Sequence, residues 1–155
     1  MHRSQFPGRG RLREPRLLPQ PYGGALVIQP LLTQSRVLIV EDDMLVAMSF
    51  EDFVADHGCT HCYVATSIPF ALAALDKFAP TVVLLDVALQ KAVPDFIVAD
   101  ALAERGFAFV FVSALLPNVI PARHSARPFV RKPFADHEMA NGFRQAMGGQ
   151  LSAAL

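Results

Sequence analysis

The stretch "TVVLLD", residues 81–86, is apolar at four successive positions, Val82 to Leu85. Successive side chains of a strand point to opposite faces, so a strand with one wet face alternates apolar and polar residues. A run without alternation must be covered on both sides, which is the condition of a central strand in a parallel sheet with helices above and below it. The chain from Arg36 onward meets that demand. Short runs rich in β-branched and aromatic residues at Arg36–Val40, Thr60–Val64, Phe107–Ser113 and Phe129–Arg131 alternate with stretches of helical spacing, the signature of βαβ units.

The helical stretches carry their own punctuation. Val46, Phe50, Phe53 and Val54 recur at helical spacing between Met44 and His57, Asp43 is placed as a cap, and Gly58 supplies the stop. Ser67 is placed to cap a second helix with Ala71, Ala74, Leu75 and Phe78 on one face, ending before Pro80. Asp95 is placed to cap a third, with Val98, Ala101 and Leu102, which Gly106 closes. A last helix is predicted from about Asp136 to Met147. Between the fourth and fifth strands, Pro117, Pro121 and Pro128 exclude a long helix.

With 155 residues the chain suffices for one domain. Composition shifts near residue 35. Residues 1–34, rich in Pro, Gly and Arg without an apolar period, read as a disordered leader; residues 35–148 read as the folded domain and 149–155 as a flexible tail. Bases and acids balance at 14 each, which argues against a nucleic-acid surface or one aimed at an anionic membrane. No apolar run approaches the roughly 18 to 20 residues of a spanning helix, and the chain is expected to be soluble and cytoplasmic. Cys59 and Cys62 form a lone Cys-x-x-Cys with His57 and His61 nearby. Structural zinc requires four converging ligands, and in a half-buried strand these side chains need no metal.

The chemistry emerges when strand ends are compared. Asp42 follows "VLIV", Asp86 ends "TVVLL", Ser113 ends "FVFV" and Lys132 follows "FVR". In a parallel sheet the carboxyl ends share one edge, where open α/β folds bind ligands. Glu41, Asp42 and Asp86 would therefore meet Ser113 and Lys132 in one cleft. Clustered carboxylates demand a cation, and a hard-oxygen set with open positions suits Mg²⁺. Asp86 is best placed as a nucleophile toward a phosphoryl group, with Mg²⁺, Lys132 and Ser113 neutralising or hydrogen-bonding its oxygens.

"VLIVEDD", "VVLLDVAL", "FVFVSA" and "VRKPF" resemble, in order and spacing, the motifs of the response-regulator receiver domain of two-component signalling over about residues 35–148. The resemblance implies an α/β, flavodoxin-like fold: a five-stranded parallel sheet in order 2-1-3-4-5 between two helical layers. It implies that Asp86 is the phosphoacceptor for a sensor histidine kinase or phosphotransfer protein. Asp42 would touch Mg²⁺ directly, Glu41 through water, and Ala88 by its backbone carbonyl. Ser113 would hydrogen-bond the phosphoryl group, Lys132 would pair with it, and the Lys132–Pro133 peptide would be cis. Phe129 takes the place of the switch aromatic, without the hydroxyl of the tyrosine common there.

The prolines before Lys132 also resemble receivers with a short or missing helix between the fourth and fifth strands that work with HWE-type kinases, although "FVSALL" differs from their Phe-Ala-Thr-Gly-Tyr signature. The chain is thus expected to be a stand-alone receiver, not an enzyme, that signals through an unidentified downstream protein or as a homodimer, with the 114–128 segment as its mobile element. Three rivals stand beside this reading. A haloacid-dehalogenase-type phosphatase needs a second acid two residues after the nucleophile, where this chain has Ala88. A flavin module needs phosphate-cradling residues where this chain has acids. A pseudo-receiver that only binds a partner would not need all five site residues.

Overall fold

The computed structural model describes residues 29–89 and 93–153. Its elements, in chain order, are α1 (Gln29–Thr33), β1 (Arg36–Val40), α2 (Met44–Asp56), β2 (His61–Ala65), α3 (Ile68–Lys77), β3 (Val82–Leu85), α4 (Ile97–Glu104), β4 (Ala108–Ser113), β5 (Phe129–Arg131) and α5 (Asp136–Ala153). The strands form one parallel sheet in the order β2-β1-β3-β4-β5. This is the doubly wound, flavodoxin-like arrangement expected from the sequence.

Burial follows position in the sheet. Every residue of β3 and β4 is buried, whereas the edge strands β2 and β5 alternate. Odd and even neighbours of each central strand then feed two separate cores. Val37, Ile39, Leu84 and Val110 face Phe50, Phe53 and Val54 of α2 and Phe143 of α5. Leu38, Val40, Leu85 and Phe109 face Ala71 and Leu75 of α3 and Leu102 of α4. Each such side chain contributes about 1.5–3 kcal/mol relative to exposure, so a one-residue register slip would exchange the two cores wholesale.

The caps behave largely as their residue types dictate. Asp43 Oδ1 accepts from the Leu45 and Val46 amides, and Ser67 Oγ accepts from the Phe70 amide. Gly58 and Gly106 take φ of 89° and 75°, the left-handed turn that ends a helix and that a β-carbon disfavours. Asp95 departs from expectation. Its carboxylate accepts from the Ile97 amide two residues on, forming a local turn, while Phe96 occupies the cap position itself.

Two boundaries also move. The domain begins before residue 35, because Leu32 of α1 is fully buried in the same cluster as Phe53, Val54 and Cys59. Pro30 interrupts the apolar run that precedes Leu31 and Leu32, and polar residues 33–36 follow it, so the stretch reads locally as the end of the leader; tertiary burial assigns Leu32 to the core. Residues 1–28 of the expected leader lie outside the described residues. At the other end α5 runs to Ala153 instead of stopping at Met147, and of the expected flexible tail only residues 154 and 155 fall outside the description. Gly148 and Gly149 lower helix propensity by about 1 kcal/mol each but leave the hydrogen-bond ladder intact, which proline would not.

No α-helix joins β4 to β5. Two short 3₁₀ turns, Pro117–Val119 and Ala122–His124, stand there, as the prolines require. Among the described residues no helix is long and apolar enough to cross a membrane.

Candidate functional site

Backbone bonds past the strand ends assemble the site. The Glu41 amide donates to Ala65 O (3.1 Å), the Asp86 amide to Val40 O (3.0 Å) and the Lys132 amide to Ser113 O (2.9 Å). The parallel ladder thus continues one residue beyond the apolar runs, where the polar residues begin. Residues up to 91 positions apart are brought together on one edge.

Lys132 is the hub. Its Nζ donates to Glu41 Oε2 at 2.8 Å and to Asp86 Oδ2 at 2.9 Å. The second oxygens are held by backbone: Glu41 Oε1 accepts from the Asp43 amide and Asp86 Oδ1 from the Ala88 amide. Glu41 and Asp86 are buried and the lysine side chain is only 16% exposed. Carboxylate oxygens of Glu41, Asp42 and Asp86 lie within 4.8 Å of one another. The Lys132–Pro133 peptide is cis.

The electrostatics follow from burial and charge count. Burial pushes the Glu41 carboxyl above its ordinary value against the pull of Lys132. Burial works to lower the Lys132 ammonium, but its bonds to Glu41 and Asp86 outweigh that and hold it above its ordinary value. Two buried carboxylates, Glu41 and Asp86, share the one Lys132 ammonium, with the Asp42 carboxylate beside them, so acid outnumbers base in this pair of ion pairs. Hard oxygen donors this close, in surplus negative charge and at the edge of a sheet, fit a divalent cation such as Mg²⁺.

The remaining expected residues divide. Ser113 is fully buried at the end of β4, and its hydroxyl accepts from the Leu115 amide at 3.2 Å. Phe129 is half-buried against the core that contains Phe111, its register partner on β4. Ala88 stands two residues past Asp86 and touches that carboxylate through its amide. Cys59 and Cys62 gather no metal set: among the described residues the one cluster of metal-ligating type is Glu41, Asp42 and Asp86. The Cys59 thiol is buried and donates to backbone carbonyls of Ser35 and His61, and burial pushes the Cys62 thiol up to about 12.

A second ionic cluster was not legible in the sequence. Asp100 of α4 accepts from Arg123 through both carboxylate oxygens, at 2.7 and 2.9 Å, and meets His124 Nε2 at 2.7 Å. The His124 ring is buried among Phe96, Phe109 and Phe111. It pins the second 3₁₀ turn to α4. No local spacing announces it, because the partners are 23 and 24 residues apart and meet only through packing.

No protein-family model and no curated protein sequence matches the chain. Solved structures do. SdrG from Sphingomonas melonis Fr1 is 30% identical with a TM-score of 0.65, over 74% of this chain and 98% of that one. The BeF3-activated conformation of SdrG, from Pseudomonas melonis Fr1, is 32% identical with a TM-score of 0.63, over 74% of this chain and 95% of that one. The response regulator PhyR from Brucella abortus is 26% identical with a TM-score of 0.65; 77% of this chain matches it, spanning 50% of PhyR. With the strand order, the carboxylate cluster and its lysine in place, this similarity identifies the chain as a member of the response-regulator receiver family.

Proposed function

We propose that this receiver accepts a phosphoryl group on Asp86 from a histidine kinase or phosphotransfer protein, using Mg²⁺ held by Asp42, Asp86 and the Ala88 carbonyl, with Glu41 acting through water. The observation that carries the reading is the shared Lys132 ammonium: one cation bridges Glu41 and Asp86 inside a three-carboxylate cluster. A carboxylate oxygen of Asp86 would form the new bond to phosphorus as the donor's bond to phosphorus breaks, and the donor keeps that electron pair. Lys132, already within reach of the acceptor, would follow the charge onto the phosphoryl oxygens. Ser113 would donate its O–H to a phosphoryl oxygen while its hydroxyl oxygen accepts from the Leu115 amide. Mg²⁺, when bound, supplies neutralisation of the remaining oxygen charge.

The response would pass to a downstream protein or a second copy of the chain through the 114–128 segment, with Phe129 moving by packing alone. The segment is fastened at residues 123–124 and free of that clasp at 114–121, so movement is expected in its first half. A kinase of the HWE type fits the helix-poor connection between β4 and β5, and a cytoplasmic location fits such a partner.

The test is incubation of the protein and Asp86→Ala with acetyl phosphate and Mg²⁺, followed by intact mass. A phosphoryl-sized gain that needs Mg²⁺ and is lost in the variant is the expected result. A second reading, a pseudo-receiver that only binds partners, draws on the fact that both oxygens of Asp86 already have partners within the chain. Failure of both acetyl phosphate and beryllofluoride to bind would favour it.

A further inference from the structure

The formal neutrality of the chain hides a division. Residues 1–28 carry five arginines, Arg3, Arg9, Arg11, Arg13 and Arg16, against one acid, Glu14; residues 29–155 hold the other nine bases against the other thirteen acids. The two parts are opposite in sign and equal in size. Within the acidic part the imbalance has a location. α2 contains Glu51, Asp52 and Asp56 and not one Lys or Arg, and α5 opens on Asp136 and Glu138.

Between these elements runs a groove of about 750 Å³. Its floor is apolar, with Val46, Phe53 and Phe134, and its rim carries Asp52, Asp56 and Asp136. Lys132 and Ala114 line its inner end. The last residue of α1 lies beside the opposite end. Thr33 of α1 lies 3.6 Å from where a β-carbon on Gly58 would stand, and Gly58 follows the groove residue His57. From Val46 to His57 the helix advances roughly 17 Å, which an extended strand covers in about six residues. The preceding segment therefore has ample length to return along it.

We infer that residues 11–22, "RLREPRLLPQPY", dock in this groove of their own domain. Arg11, Arg13 and Arg16 match the acidic rim, and Leu17, Leu18 and Tyr22 match the apolar floor. Three prolines in twelve residues suit an extended chain in a groove, since Pro-rich segments give up little conformational freedom on binding.

The experiment compares ¹⁵N amide spectra of the full chain and its R11Q/R13Q/R16Q variant at low and high salt. No phosphoryl donor or metal is present, so the result is independent of what Asp86 accepts. The Ser49, Phe53 and Phe134 amides are expected to differ between the two proteins at low salt and to coincide at high salt. A synthetic peptide of residues 9–22, added to the triple variant, should move the same amides toward their full-chain positions. Carrying the three substitutions in the peptide should weaken its docking roughly tenfold, the size of three exposed ion pairs. D52N/D56N in the full chain should reproduce the triple variant's shifts at the groove. Coincident groove amides at low salt would overturn the inference. So would shifts that scale with protein concentration alongside a sedimenting dimer, which would give the groove to the leader of a second copy.

Discussion

The molecule holds two ionic clusters built from similar parts to opposite ends. At the sheet edge one lysine serves two carboxylates, Glu41 and Asp86, which are 1% and 6% exposed. On the far side one carboxylate, Asp100, serves Arg123 and His124 and is 47% exposed. The first is buried and has too few cations; in the second the Asp100–Arg123 pair is open to water, only the His124 ring is buried, and the acid is engaged by both bases. Burying charge is costly unless it is matched, so the first cluster retains an unmet demand for positive charge. The exposed one is screened and acts as a fastener. Surplus acid in a buried place suits a site that takes up a cation, whereas the exposed Asp100–Arg123 pair suits a fastener.

The comparison is broken most severely by removing its hub. Lys132→Met would leave Glu41 and Asp86 buried together without their cation, and a loss of about 3 kcal/mol is expected in urea unfolding at neutral pH. Mg²⁺ should restore part of it. An unchanged midpoint would mean that the carboxylates are solvated well enough to need no lysine.

At the other cluster the buried ring, not the ion pairs, should matter. His124→Ala opens a cavity among Phe96, Phe109 and Phe111 and is expected to cost about 2–3 kcal/mol. Arg123→Ala should chiefly speed amide exchange over residues 122–127. If the arginine substitution shifted the unfolding midpoint as far as the histidine one, the cluster would be more than a fastener.

Cation binding separates the two clusters directly. At a Mg²⁺ concentration ten times its dissociation constant, stability should rise by about 1.4 kcal/mol. Asp42→Asn should remove most of that gain, whereas Asp100→Asn should leave it intact. Loss of the gain in Asp100→Asn would place the cation elsewhere.

The smallest effect, and the sharpest contrast, is in the pH dependence. Burial raises Glu41 above its ordinary 4.5, so the folded protein takes up that proton first. Acidification through the raised value toward 4.5 therefore favours the folded state through this group. The bond from Arg123 lowers Asp100 from 3.8 to about 2, so the stability it adds is present above 3.8 and is lost as pH falls toward 2. Glu41→Gln should flatten the first slope and Asp100→Asn the second, by fractions of a kcal/mol in the exposed case. Equal slopes in the two variants would erase the distinction.

Much of the site was legible because strand ends are local features. Asp86 after "VVLL" and Asp42 after "VLIV" could be read from the change of residue type where an apolar run stops, and a parallel sheet has only one edge to which such ends can go. Glu41 was placed on the metal through water; the structure adds that it is the direct partner of Lys132, 91 positions away. Ser113 was expected to hydrogen-bond a phosphoryl group; the structure adds that its hydroxyl oxygen accepts from the Leu115 amide.

The sequence by itself determined the alternation of elements, the two-sided burial of β3, the helix stops at Gly58 and Gly106, and the absence of a long helix among the prolines. Each follows from side-chain periodicity or backbone sterics within a few residues. Only the tertiary structure decided that Leu32 belongs to the core, that Asp100 gathers Arg123 and His124, and that α2 and the start of α5 enclose an acidic groove. Those outcomes depend on which faces of distant elements meet, and the free energy of that meeting is in buried area and desolvated charge, quantities no local window contains.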